Sequence, residues 1–557
     1  MTGCLVLFAA AYLALIAGPF HLPLLADEIA FSAAAGGFWH GQVFLTHPPL
    51  YAFLLGLADK AGLAGADLRV IGAACFIANL FLIYAVCRAV AKDKVRAGKI
   101  GLLAAFLYLI NPMALKGSLI LDIDNTILGT ITLVFVLAFA RLHSRPGPKK
   151  YWVLGGILAL GFWAKLSTPL LLIAAVFFFY WLKDGLKKSI RSTAVLTAIG
   201  AGAFFASWFI IARVFGLPFF QIFYRVGSVL SKGYSQRAFS LAAELADRTT
   251  RMALWAGPFF LLLGALPVIS GVRAYFRKEP PAAGCLEFIA ILFLLIVCGY
   301  IVIGGVIYSF PKYHYPMLGL MAVLAASYIE KLGIKFDKRT LPLYAGITAV
   351  WGIYDLKVAG DLIYIVNHNL RFLAILDPRN LNEGIRYFAA HAALYLVPVF
   401  VAGVFFRVYH ARSFARAAAL TLLLGTVAAA GALDLTQARA GYFTTYLYGK
   451  DIRNMAQLVE LIRAVKAKAP KSFMIAPEDA MYEAGAEENY PYCEYGKTKE
   501  KFLQAVSDKN VSCVVYGLSW NSIYQYREIF SDPSVLKALK ENYNGSVLGE
   551  YTVWLRK

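Results

Sequence analysis

From the N-terminus to about residue 435, apolar stretches of roughly twenty residues alternate with short polar segments. This alternation restricts the possible folds more than any other feature of the chain. About 20 apolar helical residues are needed to cross a bilayer core. Inside that core each backbone N–H and C=O must be satisfied within its own segment. Repeated runs of this length specify a polytopic α-helical membrane protein. Soluble globular chains are roughly 45–50% apolar. This one is 60% hydrophobic with a mean hydropathy of +0.63.

Thirteen spans fit the pattern: about 3–20, 68–90, 100–115, 126–141, two within 151–182, and then about 194–214, 252–272, 285–307, 316–330, 341–358, 388–406 and 417–435. The stretch 151–182 is divided at Ala164-Lys165-Leu166-Ser167-Thr168-Pro169, since proline lacks the N–H that would continue a helix. Met1–Phe20 has no basic n-region and no good cleavage site after it, so it reads as a retained first span.

The formal charge of +21 raises nucleic acid as a partner. The basic residues instead gather in short loops, such as Lys92/Lys94/Arg96/Lys99, Arg141/Arg145/Lys149/Lys150 and Lys183/Lys187/Lys188/Arg191. With the N-terminus in the cytoplasm, every such cluster falls on the inner side. The short outer turns then hold Lys116 and Lys312. This is the positive-inside pattern, and it accounts for the charge without nucleic acid. The expected location is the plasma (inner) membrane, multi-pass, in contact with membrane lipids.

After about residue 436 the composition turns polar. Residues 451–467 show helical spacing of Ile452, Met455, Leu458, Ile462 and Val465. Ser472–Ala476 and Val511–Gly517 read as strands, Lys499–Ser507 and Ser519–Phe530 as helices, and Val547–Leu555 as a last strand. Two domains follow: a transmembrane catalytic domain, 1–435, and a small extracytoplasmic α/β domain, 436–557. The second has no Gly-rich phosphate loop, metal-spaced His/Cys set or nucleophile elbow. Of the seven cysteines, Cys493 and Cys513 lie in this region, and a disulfide and two free thiols are both open. The sequons at Asn510 and Asn544 are the kind of match that occurs by chance.

Ionisable groups at span ends are costly unless paired or solvated, which makes them candidates for function. Five sets fall on the outer side. Asp27-Glu28 follows the first span and offers a general base, or else a plain helix cap. His47 precedes Pro48-Pro49, which fix its direction; a rigid loop corner is the simpler reading. Asp122 and Asp124, next to Asn125, lie in a short turn and suit an acceptor or cavity role, or are merely solvated. Lys165 offers a fixed cation for a phosphate, or snorkels to head groups. Tyr308–Pro316, with Lys312, Tyr313 and His314, offers a phosphate site or an aromatic belt. Acids and cations on one face suit transfer of a group from a phosphate-bearing lipid: a base for the acceptor and cations for the departing phosphate.

Asp27-Glu28, His47-Pro48-Pro49-Leu50, Leu121-Asp122-Ile123-Asp124-Asn125, Gly161-Phe162-Trp163-Ala164-Lys165 and Lys312-Tyr313-His314-Tyr315-Pro316 form an ordered set. In this set the chain resembles the GT-C superfamily of polyprenyl-phosphate-sugar-dependent glycosyltransferases. The nearest types are protein O-mannosyltransferase-like and lipid A aminoarabinose transferase-like enzymes. The resemblance covers about residues 1–330, more loosely to 435. It implies an inverting transfer at the outer face of the plasma membrane, from a polyprenyl-phosphate-linked sugar to a glycan, lipid or protein acceptor. Asp27 matches the first-loop acid, and Glu28 its neighbour. Lys165 and Lys312 match basic positions near the donor phosphate, with Tyr313 and His314 beside them. His47, Asp122 and Asp124 fall on the acceptor or cavity side. Thr46-His47 stands where the aminoarabinose transferase type has Glu-Lys, which departs from that substrate and from its metal site. No metal ligands are assigned, and a divalent cation is the one candidate cofactor. The alternative from another class is a transporter or flippase of lipid-linked sugars. It calls for charges near mid-membrane and repeated halves, and the sequence displays neither.

Overall fold

The computed structural model describes the chain apart from residues 40–47, 223–244, 278–283, 304–311, 358–393, 441–451, 490–498 and 517–528, and some single or paired positions including 25–26 and 124–125. The apolar runs fold as helices. The first half holds α1 (Thr2–Ile16), α2 (Asp27–Phe38), α3 (Leu50–Lys60), α4 (Val70–Val90), α5 (Lys94–Leu109), α6 (Pro112–Ser118), α7 (Thr126–Leu142), α8 (Lys149–Ala164), α9 (Ser167–Asp184) and α10 (Leu186–Val214). Then come α11 (Pro258–Phe276), α12 (Cys285–Ile303), α13 (Met317–Lys331), α14 (Thr340–Lys357), the shorter apolar α15 (Leu396–Tyr409) and α16 (Phe414–Ala440).

Length separates these helices. Among the described residues five are long and apolar enough to cross a membrane alone: Gly65–Val90, Ser167–Asp184, Leu186–Val214, Cys285–Val302 and Phe414–Ala432. The chain is thus a multi-pass membrane protein. The apolar helices α1 and α7 have 15 and 17 residues. At about 1.5 Å rise per residue they fall short of a core about 30 Å thick. Among the described residues, helix length supports five single crossings, or six if the bent pair 95–118 is one span, of the thirteen expected.

The expected span 100–115 is not one helix. Val95–Leu109 and Pro112–Ser118 meet at 68°. The cause is local. Pro112 biases Asn111 away from the helical region, and Asn111 sits at ψ 119°. Its side chain then accepts from the Ala114 N–H at 3.0 Å and caps α6. Every residue of α6 is buried. Non-helical backbone at membrane depth is tolerated in such surroundings. The divided stretch 151–182 does fold as expected. α8 ends at Ala164, Lys165 is extended (φ −158°, ψ 137°), and α9 starts at Ser167.

A polar network fastens α6 to its neighbours. Tyr315 donates to the Ala114 carbonyl at 3.0 Å and shares a hydrogen bond with Tyr108, also at 3.0 Å. Asn79 donates to Tyr108, and Tyr12 donates to Ser118 at 2.7 Å. Gly117 and Gly129 let the Tyr315 ring lie against α6 and α7.

The C-terminal region contains β1 (Phe473–Ile475), β2 (Val511–Tyr516), β3 (Tyr543–Leu548) and β4 (Tyr551–Arg556) in the order β1-β2-β4-β3. β1 and β2 are parallel; β4 is antiparallel to both β2 and β3. Of its helices, α17 (Ile452–Lys468) packs on one face through Met455, Leu458 and Ile462. A short α18 (Glu478–Glu483) follows β1. On the other face α19 (Lys499–Ser507) and α20 (Pro533–Asn542) contribute Phe502, Val506, Val535 and Leu539. The single last strand expected from the sequence is a hairpin, and the expected helix 519–530 lies mostly outside the described residues. Cys513 is a free, buried thiol, pushed up to about 12 by burial. Cys493 lies outside the described residues.

A Cβ on Gly117 would overlap the Tyr315 ring, whereas one on Gly202 would meet nothing. Gly117→Ala should cost about 1–3 kcal/mol by overpacking. Gly202→Ala should be neutral or slightly stabilising. Thermal unfolding midpoints of the two variants in detergent check this.

Candidate functional site

Two ion pairs, buried together where several helix ends meet, form the centre of the site. Arg69 directly precedes α4 and is 4% exposed. Its Nη2 donates to both carboxylate oxygens of Glu28 at 3.1 Å, and its Nε donates to Oε1 at 3.3 Å. Its Nη1 donates to the carbonyls of Phe20 and Leu22, at 3.0 and 2.5 Å. Glu28 Oε1 also accepts from the Leu121 N–H at 3.0 Å.

The next residue, Asp122, belongs to the second pair. It is 1% exposed, and its Oδ2 accepts from Lys312 Nζ at 2.5 Å. Lys312 sits in a single 3-10 turn, Lys312–His314, just ahead of α13. Leu121 and Asp122 thus join one ion pair to the other through consecutive residues.

Lys165 closes the group. Its extended backbone between α8 and α9 sends Nζ over the Tyr313 ring, 3.6 Å from the centroid. The Tyr300 ring lies 5.6 Å from Tyr313 and 5.9 Å from His314. Its hydroxyl is 3.1 Å from the hydroxyls of Ser167 and Thr168, in the first turn of α9. Each cation is therefore matched by a carboxylate or an aromatic face, in surroundings that exclude water.

Glu28, Asp122, Lys165, Lys312, Tyr313 and His314 are brought into this neighbourhood and are buried or nearly so. Asp27 opens α2, one residue before Glu28. The Asp27 side chain, His47 and Asp124 lie outside the described residues. Glu28, expected as a catalytic acid, has both carboxylate oxygens engaged, by Arg69 and by the Leu121 N–H. No group of three or more His, Cys, Asp or Glu gathers among the described residues.

The sequence reading missed Arg69, Tyr300, Ser167 and Thr168. Arg69 had a signal. It is a cation at the very start of an apolar run. Tyr300 had none, because one tyrosine in an apolar helix is ordinary.

Residues 46–211 match the family model described as dolichyl-phosphate-mannose-protein mannosyltransferase. No curated protein matches the chain in sequence. Among solved structures the chain is similar to ArnT from Cupriavidus metallidurans. The apo state gives a TM-score of 0.55 at 14% identity, covering 99% of this chain and 98% of ArnT. The state bound to undecaprenyl phosphate gives 0.53 at 14% identity, covering 100% and 98%. At this identity the likeness is one of fold. Together with the family model it supports the resemblance to GT-C glycosyltransferases that the motifs suggested.

Removing one partner of a buried ion pair costs about 3–5 kcal/mol, because the other charge is left uncompensated. Glu28→Gln and Arg69→Met should each lose about that much. The double variant should lose clearly less than the sum. A double-mutant cycle on unfolding in detergent measures the difference.

Proposed function

We propose that the chain is an integral membrane glycosyltransferase. It moves a sugar from a polyprenyl-phosphate donor to a glycan or lipid-linked acceptor, at the outer face of the plasma membrane. The observation that supports this best is the arrangement around residues 121–122. The clamp there fixes the start of α2, which carries Asp27, in the same structure that fixes Lys312 beside Tyr313 and Lys165. The family model and the ArnT-like fold favour the same reading. Neither favours a transporter.

In this reading the reaction is a single displacement. The acceptor hydroxyl oxygen bonds to the anomeric carbon while the bond from that carbon to the phosphate oxygen breaks. Asp27 takes the hydroxyl proton as the attack proceeds. Polyprenyl phosphate leaves with the electron pair, and the configuration at the anomeric carbon inverts. The negative charge that grows on the phosphate is met by the Lys165 and Lys312 ammonium groups, with Tyr313 and His314 beside them. Held in a water-poor site, such groups stabilise developing charge without reorganising. Glu28 acts at a distance, by keeping Arg69 and the 121–122 turn in place. His47, Asp122 and Asp124 form the acceptor side. The C-terminal region, on the outer side, contacts the acceptor.

A general base contributes about 10²–10⁴-fold to rate. Asp27→Asn should therefore reduce transfer by at least about 10²-fold while the unfolding midpoint stays put, and unchanged turnover would remove Asp27 from the role. Lys165→Met should weaken undecaprenyl phosphate binding about tenfold. A panel of radiolabelled polyprenyl-phosphate sugars tests the activity itself. Transfer or binding with none of them would overturn the reading.

A further inference from the structure

The C-terminal region touches the first loop next to Asp27-Glu28. Glu483, the last residue of α18, accepts from the Leu24 N–H through Oε1 at 2.8 Å, across 459 residues of sequence. Its neighbour Tyr482 packs against the cluster of Leu24, Phe31, Tyr51, Leu121 and Ile123. The Tyr482 hydroxyl reaches Ser32 Oγ at 3.5 Å. Leu24 is 1% exposed.

α18 is fastened from behind. Arg463 of α17 donates to the Glu483 carbonyl at 2.8 Å. Lys466, one turn on, donates to the Gly485 carbonyl. Both bonds use backbone acceptors and leave the Glu483 carboxylate to point forward. The segment it meets, Leu22 to Glu28, is already held at its two ends. Arg69 binds the Leu22 carbonyl at one end and the Glu28 carboxylate at the other. Leu24 is the inner point of this span, three residues before Asp27.

We propose that Glu483 is a positioning residue. Through the Leu24 N–H it ties the first loop to the C-terminal region, and so makes the placement of the start of α2, which carries Asp27, depend on docking of that region. This explains why α17 directs two cations at carbonyls at and just beyond the end of α18 rather than at solvent. The kinetic part of the proposal rests on the transferase reading above; the structural part does not.

The test compares Glu483→Ala, Glu483→Asp and Glu483→Gln in the full-length protein. Alanine removes the acceptor. Aspartate keeps the charge but shortens the reach by one methylene. Glutamine keeps both reach and an accepting oxygen. Loss of a hydrogen bond of this kind corresponds to about a tenfold change in local opening. E483A and E483D should therefore raise amide hydrogen exchange in peptides covering residues 24–35 about tenfold, and E483Q should leave it unchanged. With an active donor, E483A and E483D should lower kcat about tenfold at constant donor KM and constant undecaprenyl phosphate affinity. E483Q should restore kcat. Should E483A fail to fold, the contrast between E483D and E483Q carries the same information. Unchanged exchange in E483D would overturn the proposal, as would faster exchange with unaltered kcat. If the wild-type protein transfers nothing from any donor, the transferase reading fails, and the exchange arm still decides whether Glu483 pins the segment.

Discussion

A charge buried among apolar helices has to be matched on the spot, because the desolvation of each ion costs several kcal/mol even after relaxation. Arg69 meets that demand by distributing its guanidinium over the Glu28 carboxylate and two carbonyls of the first loop. Once Arg69 is committed in this way, little around it is free to vary. The segment after α1, the start of α2 and the start of α4 are drawn to one point. The Leu121 N–H brings the next turn to the same carboxylate. The geometry of this half of the cluster follows from satisfying one buried cation.

The second pair depends on a different device. Asp122 reaches Lys312 because the chain stops being helical after α6, and α6 is placed by the Asn111-Pro112 break and by Tyr315. A straight helix through 95–118 would carry its end away from the turn before α13. The bend, the glycine at 117 and the tyrosine ring are thus parts of one construction. Each is dispensable for crossing a membrane, and each serves to aim residues 121 and 122.

Much of this was readable in advance, for reasons that can be named. Helices declare themselves by apolar runs, and the interruption at Lys165 was announced by the Ser-Thr-Pro that follows it. Lys165, Lys312 and Asp122 stood out because charges at span ends are rare. Who pairs with whom was not readable. Nothing near Glu28 in sequence points to its pairing with Arg69, 41 residues away. The α5–α6 bend had its cue in Asn111-Pro112, but an unbroken apolar character masked it. The β3–β4 hairpin was hidden likewise. Asn544, Gly545 and Ser546 are poor strand formers on local grounds, and they pair because β4 lies beside them.

The Asp122–Lys312 pair also has a meaning for biosynthesis. The two residues are 190 apart in sequence. While the chain is being made, Asp122 leaves the ribosome long before its cation exists. Until then the 121–122 turn lacks this ion pair. The nine apolar runs that precede Lys312 therefore do not by themselves contain every contact of this polar centre. Their polar centre is completed from outside, when the turn before α13 arrives.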